Sequence, residues 1–175
     1  PPPRALSQVR HAHCVHFLGA TVSASSGQVL IVTELCEGGA LDAACLGAPP
    51  PLAVRDALRL AEQLARAVAF VHARKYTHGD IKPQNVLLNA RGEVKLTDFG
   101  IAKILDNSQA MAQTFAGTFK YMSPERIRNE SYNASCDLWS LGLLLVELAT
   151  GRFPYGAAAT HIELVEHVLN DPPPV

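Results

Sequence analysis

The sequence predicts an α+β fold that is mainly helical, and three features predict it. Apolar residues Ala57, Leu60, Leu64, Val68 and Val71 recur at helical spacing. A second stretch, between Ser135 and Gly151, is apolar on nearly every side and reads as a helix buried all round. Between and before these lie short β-prone runs, residues 28–33, 86–89 and 93–97. The last two are joined by Ala90-Arg91-Gly92, which is a hairpin signal.

A chain of 175 residues with 48% hydrophobic content can bury a sizeable core and is expected to be one domain or part of one. Its formal net charge of −1, with no long basic run, argues against a nucleic-acid or anionic-membrane surface as the main partner. The four cysteines, Cys14, Cys36, Cys45 and Cys136, form no Cys-x-x-Cys pair. A reducing compartment, by default the cytoplasm, is therefore expected.

Residues 6–9 read as the end of a helix. His11, His13, Cys14 and His16 are the right residue types for zinc, but their spacing is not that of zinc-ligand pairs, so a structural role is expected. The run 28–33 is a strand that ends at the Gly38-Gly39 turn, and Ala40-Leu41-Asp42 begins a helix. Pro49-Pro50-Pro51 breaks the chain and launches the long helix, expected over residues 53–73. Arg55, Asp56, Arg59, Glu62 and Arg66 form its solvated face. Farther on, Asn133 or Ser135 is expected to cap the apolar helix and Gly151 to end it. Asp137, Glu147 and its short length argue against a membrane span. A carboxylate such as Asp137 in so apolar a helix needs partners. An amphipathic stretch, residues 161–169, closes the chain.

The chemistry concentrates around Thr77-His78-Gly79-Asp80-Ile81-Lys82-Pro83-Gln84-Asn85 and Asp98-Phe99-Gly100. The hairpin between them brings its two ends together, at the ~5 Å spacing of cross-strand neighbours. Asn85 and Asp98 thereby offer two hard oxygen ligands to one point, a pattern suited to Mg²⁺, which takes few protein ligands and completes its octahedron with water and phosphate. Asp80 stands just before the hairpin, placed to meet an incoming hydroxyl.

Asp-x-x-x-x-Asn followed by Asp-Phe-Gly, in this order and at a hairpin's width, resembles the protein-kinase pattern. The resemblance implies the kinase fold, chiefly its helical large lobe with a remnant of small-lobe strands. It divides one incomplete domain into a small-lobe remnant (1–33), a hinge (34–39) and a large lobe (40–175) lacking its last helices. It makes Asp80 the catalytic base, Lys82 the partner of the transferred phosphate, and Asn85 and Asp98 the metal ligands, and it counts Thr118 among the catalytic residues. Thr33 becomes the gatekeeper, the backbone of Glu34 and Cys36 reads adenine, and Leu87 also contacts the nucleotide. Phe17 is implied to be a core residue, and Asp137 to hold the catalytic-loop backbone. ATP and Mg²⁺ are the implied cofactors. Lys82 points to Ser/Thr chemistry. Gly117-Thr118-Phe119-Lys120-Tyr121-Met122-Ser123-Pro124-Glu125-Arg126 is similar to MAP kinase kinases in particular, and Ser108 and Thr114 match the spacing of the regulatory phosphorylation sites of plant-type members. A protein substrate, such as a MAP kinase, and an upstream activating kinase are then the implied partners.

The chain departs from the pattern in two ways. No Lys precedes Lys75 and no acidic residue precedes Glu34, so the small-lobe Lys, its Glu partner and the Gly-rich loop are not in this sequence. The chain on its own is therefore expected to be inactive, since phosphoryl transfer rests on positioning and electrostatics. Gly79 also stands where most kinases carry the Arg that receives the activation-loop phosphate, which weakens the regulatory reading of Ser108 and Thr114. Three readings follow: a MAP kinase kinase, another kinase of the same broad group such as a MAP kinase kinase kinase, or a catalytically inactive interaction module.

Overall fold

The structure is a computed structural model that describes residues 10–46, 52–99, 119–156, 158 and 160–174, without the side chains of residues 43 and 44. Two antiparallel strands open it, β1 (Phe17–Val22) and β2 (Val29–Thr33), paired with Phe17 opposite Thr33 and a bulge between Phe17 and Gly19. A three-stranded antiparallel sheet follows in the order β3 (Gly39–Ala40), β4 (Val86–Leu88), β5 (Val94–Leu96), with β4 in the centre. The helices are α1 (Leu41–Cys45), α2 (Val54–Ala73), α3 (Pro124–Ile127), α4 (Ser135–Thr150) and α5 (His161–Asn170). Short 3₁₀ turns lie at Pro83–Asn85 and Phe119–Tyr121.

α2 matches its sequence pattern closely. The five stripe residues and Ala67 are buried, while Arg55, Arg59, Glu62 and Arg66 lie outside. Leu60, Leu64, Ala67, Val68 and Val71 pack with α4 residues Leu141, Leu144 and Leu148 and with the hairpin residues Val86, Val94 and Leu96 in one core. α4 ends as expected: Gly151 adopts a left-handed conformation, φ 70°, and its N–H reaches the Glu147 carbonyl at 2.8 Å. Its start differs from expectation. Ala134 occupies the capping position, and Asn133 instead accepts the Ser135 N–H through Oδ1 at 2.8 Å. Asn133 thus satisfies a free amide of the first turn from one residue farther out. No helix among the described residues is long and apolar enough to cross a membrane.

The two sheets are tied by the segment before β1. Val15 N–H donates to the Leu96 carbonyl at 2.8 Å, and Leu96 N–H donates to the His13 carbonyl at 2.9 Å. Two of the histidines there make packing contacts. His13 Nδ1 contacts the Val94 carbonyl at 3.2 Å, His11 stacks on Phe70 at 4.7 Å, and no metal-binding group occurs among the described residues. Phe17 is only half-buried at the edge of the core, because one side of its strand is uncovered. Residues 6–9 and Pro49 to Pro51 lie outside the described residues.

β3 was not legible as a strand. It pairs Gly39 with Leu88 and Ala40 with Leu87 at the end of the Gly-rich turn. Gly38 explains why the chain can come so close: a Cβ there would sit 2.8 Å from Leu88 Cβ and 2.9 Å from its carbonyl oxygen.

Candidate active site

The hairpin β4–β5 positions the site as its sequence implies. Val86 faces Leu96, and Thr97 N–H donates to the Asn85 carbonyl at 2.9 Å, so Asp98 leaves one strand where Asn85 enters the other. Asp98 has φ 61°, a left-handed conformation that costs a non-glycine residue roughly 1–3 kcal/mol and recurs at functional sites.

Asp80, Lys82 and Asn85 form one polar cluster. Asp80 Oδ2 meets Lys82 Nζ at 2.8 Å and accepts from Asn85 Nδ2 at 2.8 Å. The same amide nitrogen donates to the Asp80 carbonyl at 2.8 Å, which fixes the amide plane. Asn85 is 5% exposed, and its Oδ1 accepts nothing among the described residues. Neither does Asp80 Oδ1, nor the exposed Asp98 carboxylate. These oxygens suit a small hard cation and a hydroxyl proton.

Beneath the cluster sits Asp137, 0% exposed. It accepts the His78 N–H at 2.8 Å and the Gly79 N–H at 2.7 Å, and it meets His72 Nε2 at 2.8 Å. This is the partner set that an apolar helix demands of a buried carboxylate. His78 is itself buried. Its Nε2 lies 2.8 Å from the Thr97 carbonyl and its Nδ1 accepts the Asp80 N–H at 3.2 Å, which together define the neutral Nε2–H form. Burial pushes its pKa down, outweighing the pull of the Thr97 carbonyl and of Asp137, Asp80 and Asp98. Phe99 packs edge-on against its ring at 5.2 Å.

The stretch 34–36 follows β2 and is joined to β5 through Glu34 and Lys95. Thr33, with Val15, Phe17, Ile31, Thr97, Asp98 and Phe99, lines a small cavity that links the strand pair to the site. Glu34 uses its N–H on the His16 carbonyl at 2.9 Å, leaving its carbonyl and the Cys36 N–H without a hydrogen bond among the described residues. The Glu34 side chain accepts the His16 N–H at 2.7 Å and both its oxygens meet Lys95 Nζ, at 3.0 and 3.1 Å. Burial alone would raise the Glu34 pKa, but the His16 N–H and the Lys95 ammonium outweigh it and hold the carboxyl below its ordinary value. Leu87 is half-buried on β4, opposite Lys95 on one side and Ala40 on the other. Thr118, Ser108 and Thr114 lie outside the described residues.

Three contacts escape sequence reasoning: the Lys95 to Glu34 pair, the hydrogen bond from Tyr121 Oη to the buried Glu147, and one from Arg126 Nη1 to the Gly79 carbonyl. Each joins residues far apart in the chain. Only the polar residues inside apolar runs, such as Glu147, hinted at them.

A protein kinase domain family model matches residues 4–171, and the chain belongs to that family. Among curated proteins it is similar to mitogen-activated protein kinase kinase 3 of Arabidopsis thaliana, 46% identical over 165 residues, covering 94% of this chain and 32% of that protein. It is also similar to MAP kinase kinase skh1/pek1 of Schizosaccharomyces pombe, 39% identical over 170 residues, covering 93% of this chain and 46% of that protein. A third relative is mitogen-activated protein kinase kinase SIPKK of Nicotiana tabacum, 38% identical over 156 residues, covering 85% of this chain and 43% of that protein. The chain thus spans from about a third to under half of the length of these relatives.

Proposed function

We propose that this chain carries the catalytic half of an ATP-dependent protein Ser/Thr kinase of the MAP kinase kinase type, whose substrate is a protein hydroxyl, with a MAP kinase as the substrate class. The observation that carries the reading is the cluster in which Asp80 Oδ2 is held by Lys82 and Asn85 while Asp80 Oδ1 makes no hydrogen bond among the described residues. In this role Asp80 orients the acceptor hydroxyl and takes its proton, and Lys82 offsets the charge on the phosphate being transferred. Asn85 Oδ1 and the Asp98 carboxylate would hold Mg²⁺, a donor set of the hard oxygens that ion prefers. When bound, MgATP supplies the phosphoryl group and the metal's neutralisation of its charge. The Glu34 carbonyl and the Cys36 N–H are an acceptor and a donor suited to the edge of adenine, with Thr33 and Leu87 beside them. Ser108 and Thr114 remain candidates for phosphorylation by an upstream kinase, in a cytoplasmic cascade.

The test is a titration of nucleotide binding and phosphotransfer against Mg²⁺ in the full-length protein. Asp80→Asn is expected to leave nucleotide affinity nearly unchanged and to lower turnover about 10²- to 10⁴-fold. Asp98→Asn is expected to weaken both, most at low Mg²⁺. Full turnover in Asp80→Asn would favour the other reading, a non-catalytic interaction module.

A further inference from the structure

Gly79 is the weak point of the catalytic loop. It adopts φ 76°, and a Cβ built on it would meet nothing within 4 Å, so no side chain packs the loop from this position. Glycine also leaves the two flanking peptide planes freer to rotate than any other residue would. Its N–H is held by Asp137 from below at 2.7 Å. The next peptide unit, formed by the Gly79 carbonyl and the Asp80 N–H, sets the direction in which Asp80 leaves the backbone. That unit is gripped at both ends: its N–H reaches His78 Nδ1 at 3.2 Å, and its carbonyl accepts from Arg126 Nη1.

Arg126 sits on the short helix α3, 47 positions along the chain from Gly79. It is half-buried, its guanidinium lies over the Tyr132 ring at 5.2 Å, and no carboxylate among the described residues pairs with it. A guanidinium taken partly out of water is commonly paired with an anion. Here its described hydrogen bond goes to one main-chain carbonyl, and a charge-assisted bond of this kind is the stronger sort.

We infer that Arg126 is a positioning residue for Asp80, acting through the Gly79 carbonyl to fix a peptide plane that glycine leaves loose. This rests on the proposed role of Asp80, but the clamp itself can be measured without it. Asp137, His78 and Arg126 then hold the residue pair Gly79-Asp80 at the first N–H, the second N–H and the carbonyl between them. The arrangement ties the short helix α3 directly to the catalytic loop, so a disturbance in one reaches the other through a single side chain.

The experiment compares wild type, Arg126→Met and Arg126→Lys in the full-length protein. Arg126→Met keeps the stem and removes the donor. Its amide hydrogen exchange over residues 77–82 is expected to quicken while exchange in α2 stays as in wild type. Its kcat is expected to fall about 10- to 100-fold, the range of one hydrogen bond to a charged group, with KM for MgATP little changed. Arg126→Lys retains a cation and a donor and should recover part of both effects. It also serves as the informative variant if Arg126→Met does not fold. Wild-type exchange over 77–82 in a folded Arg126→Met, or no difference between Arg126→Lys and Arg126→Met, would overturn the inference. Asp80→Asn run alongside separates the two ideas: if it keeps full turnover, the kinase role of Asp80 fails, while the exchange measurement still decides whether Arg126 holds the loop.

Discussion

His78 shows how one buried ring can couple acidity to the site. Its neutral form donates through Nε2 to the Thr97 carbonyl, beside Asp98, and accepts through Nδ1 from Asp80 N–H, so it touches both halves of the motif. Protonation would put a hydrogen on Nδ1 and turn that acceptor into a second donor facing the Asp80 N–H. Burial holds the folded pKa below the ordinary value of about 6.5. The sign follows. Unfolded chains bind the proton first as pH falls, so the contribution of His78 to stability is complete above the unfolded value and is lost as pH drops through it toward the folded value. Urea midpoints measured from pH 7.5 down to 5 should therefore decline. The decline should be shallower in His78→Gln, whose amide can donate and accept without titrating. An equal slope in both would show that other groups govern the dependence.

Elements divide by how local their causes are. α2, the β4–β5 hairpin and the C-terminal end of α4 were legible because their signals lie within the elements: a helical stripe, two β-prone runs around Ala90-Arg91-Gly92, and Gly151 in the left-handed region. The candidate site was legible for the same reason, since Asp80, Lys82 and Asn85 are held in reach of one another by a single turn. What was not legible depends on partners brought together by the fold. Lys95 meets Glu34 across 61 positions, and Arg126 meets Gly79 across 47. β3 is two residues long and exists because Gly38 lets the backbone press onto Leu88, where Gly38 N–H reaches the Leu88 carbonyl at 2.9 Å. Gly38→Ala places a methyl 2.8 Å from Leu88 Cβ and 2.9 Å from a backbone oxygen that cannot swing aside. It should destabilise by about 1–3 kcal/mol in denaturant titration, the usual cost of overpacking. If Cys36 contacts the nucleotide as proposed, Gly38→Ala should also weaken nucleotide binding, because the same turn carries Cys36. A stability equal to wild type would mean that β3 separates from β4 at little cost.

At the scale of the whole molecule, the two sheets have opposite fates. β4 and β5 bury Val86, Leu88, Val94 and Leu96 in the main core, whereas every residue of β2 is exposed. Leu18, Val22, Val29, Leu30 and Val32 are 60%, 62%, 66%, 48% and 50% exposed, although β2 reads as a continuous apolar run of the kind covered on both faces. Fully burying such a side chain is worth about 1.5–3 kcal/mol, and much of that stabilisation is not realised here. Apolar side chains left exposed on both faces of a strand pair bind probes and partners. The chain of 175 residues, studied alone, should therefore enhance the fluorescence of an apolar-surface dye without denaturant. Its strand pair should also open and be cleaved by protease before α2 does. Val22 and Val29 face each other across the pair, so replacing both with Thr keeps β-branched strand formers while reducing apolar area. The double variant should bind less dye with an unchanged far-ultraviolet dichroism spectrum. A parent chain that binds no dye, sediments as a monomer and unfolds in one sharp transition would show that the apolar sheet is covered within the single molecule, contrary to the exposure described.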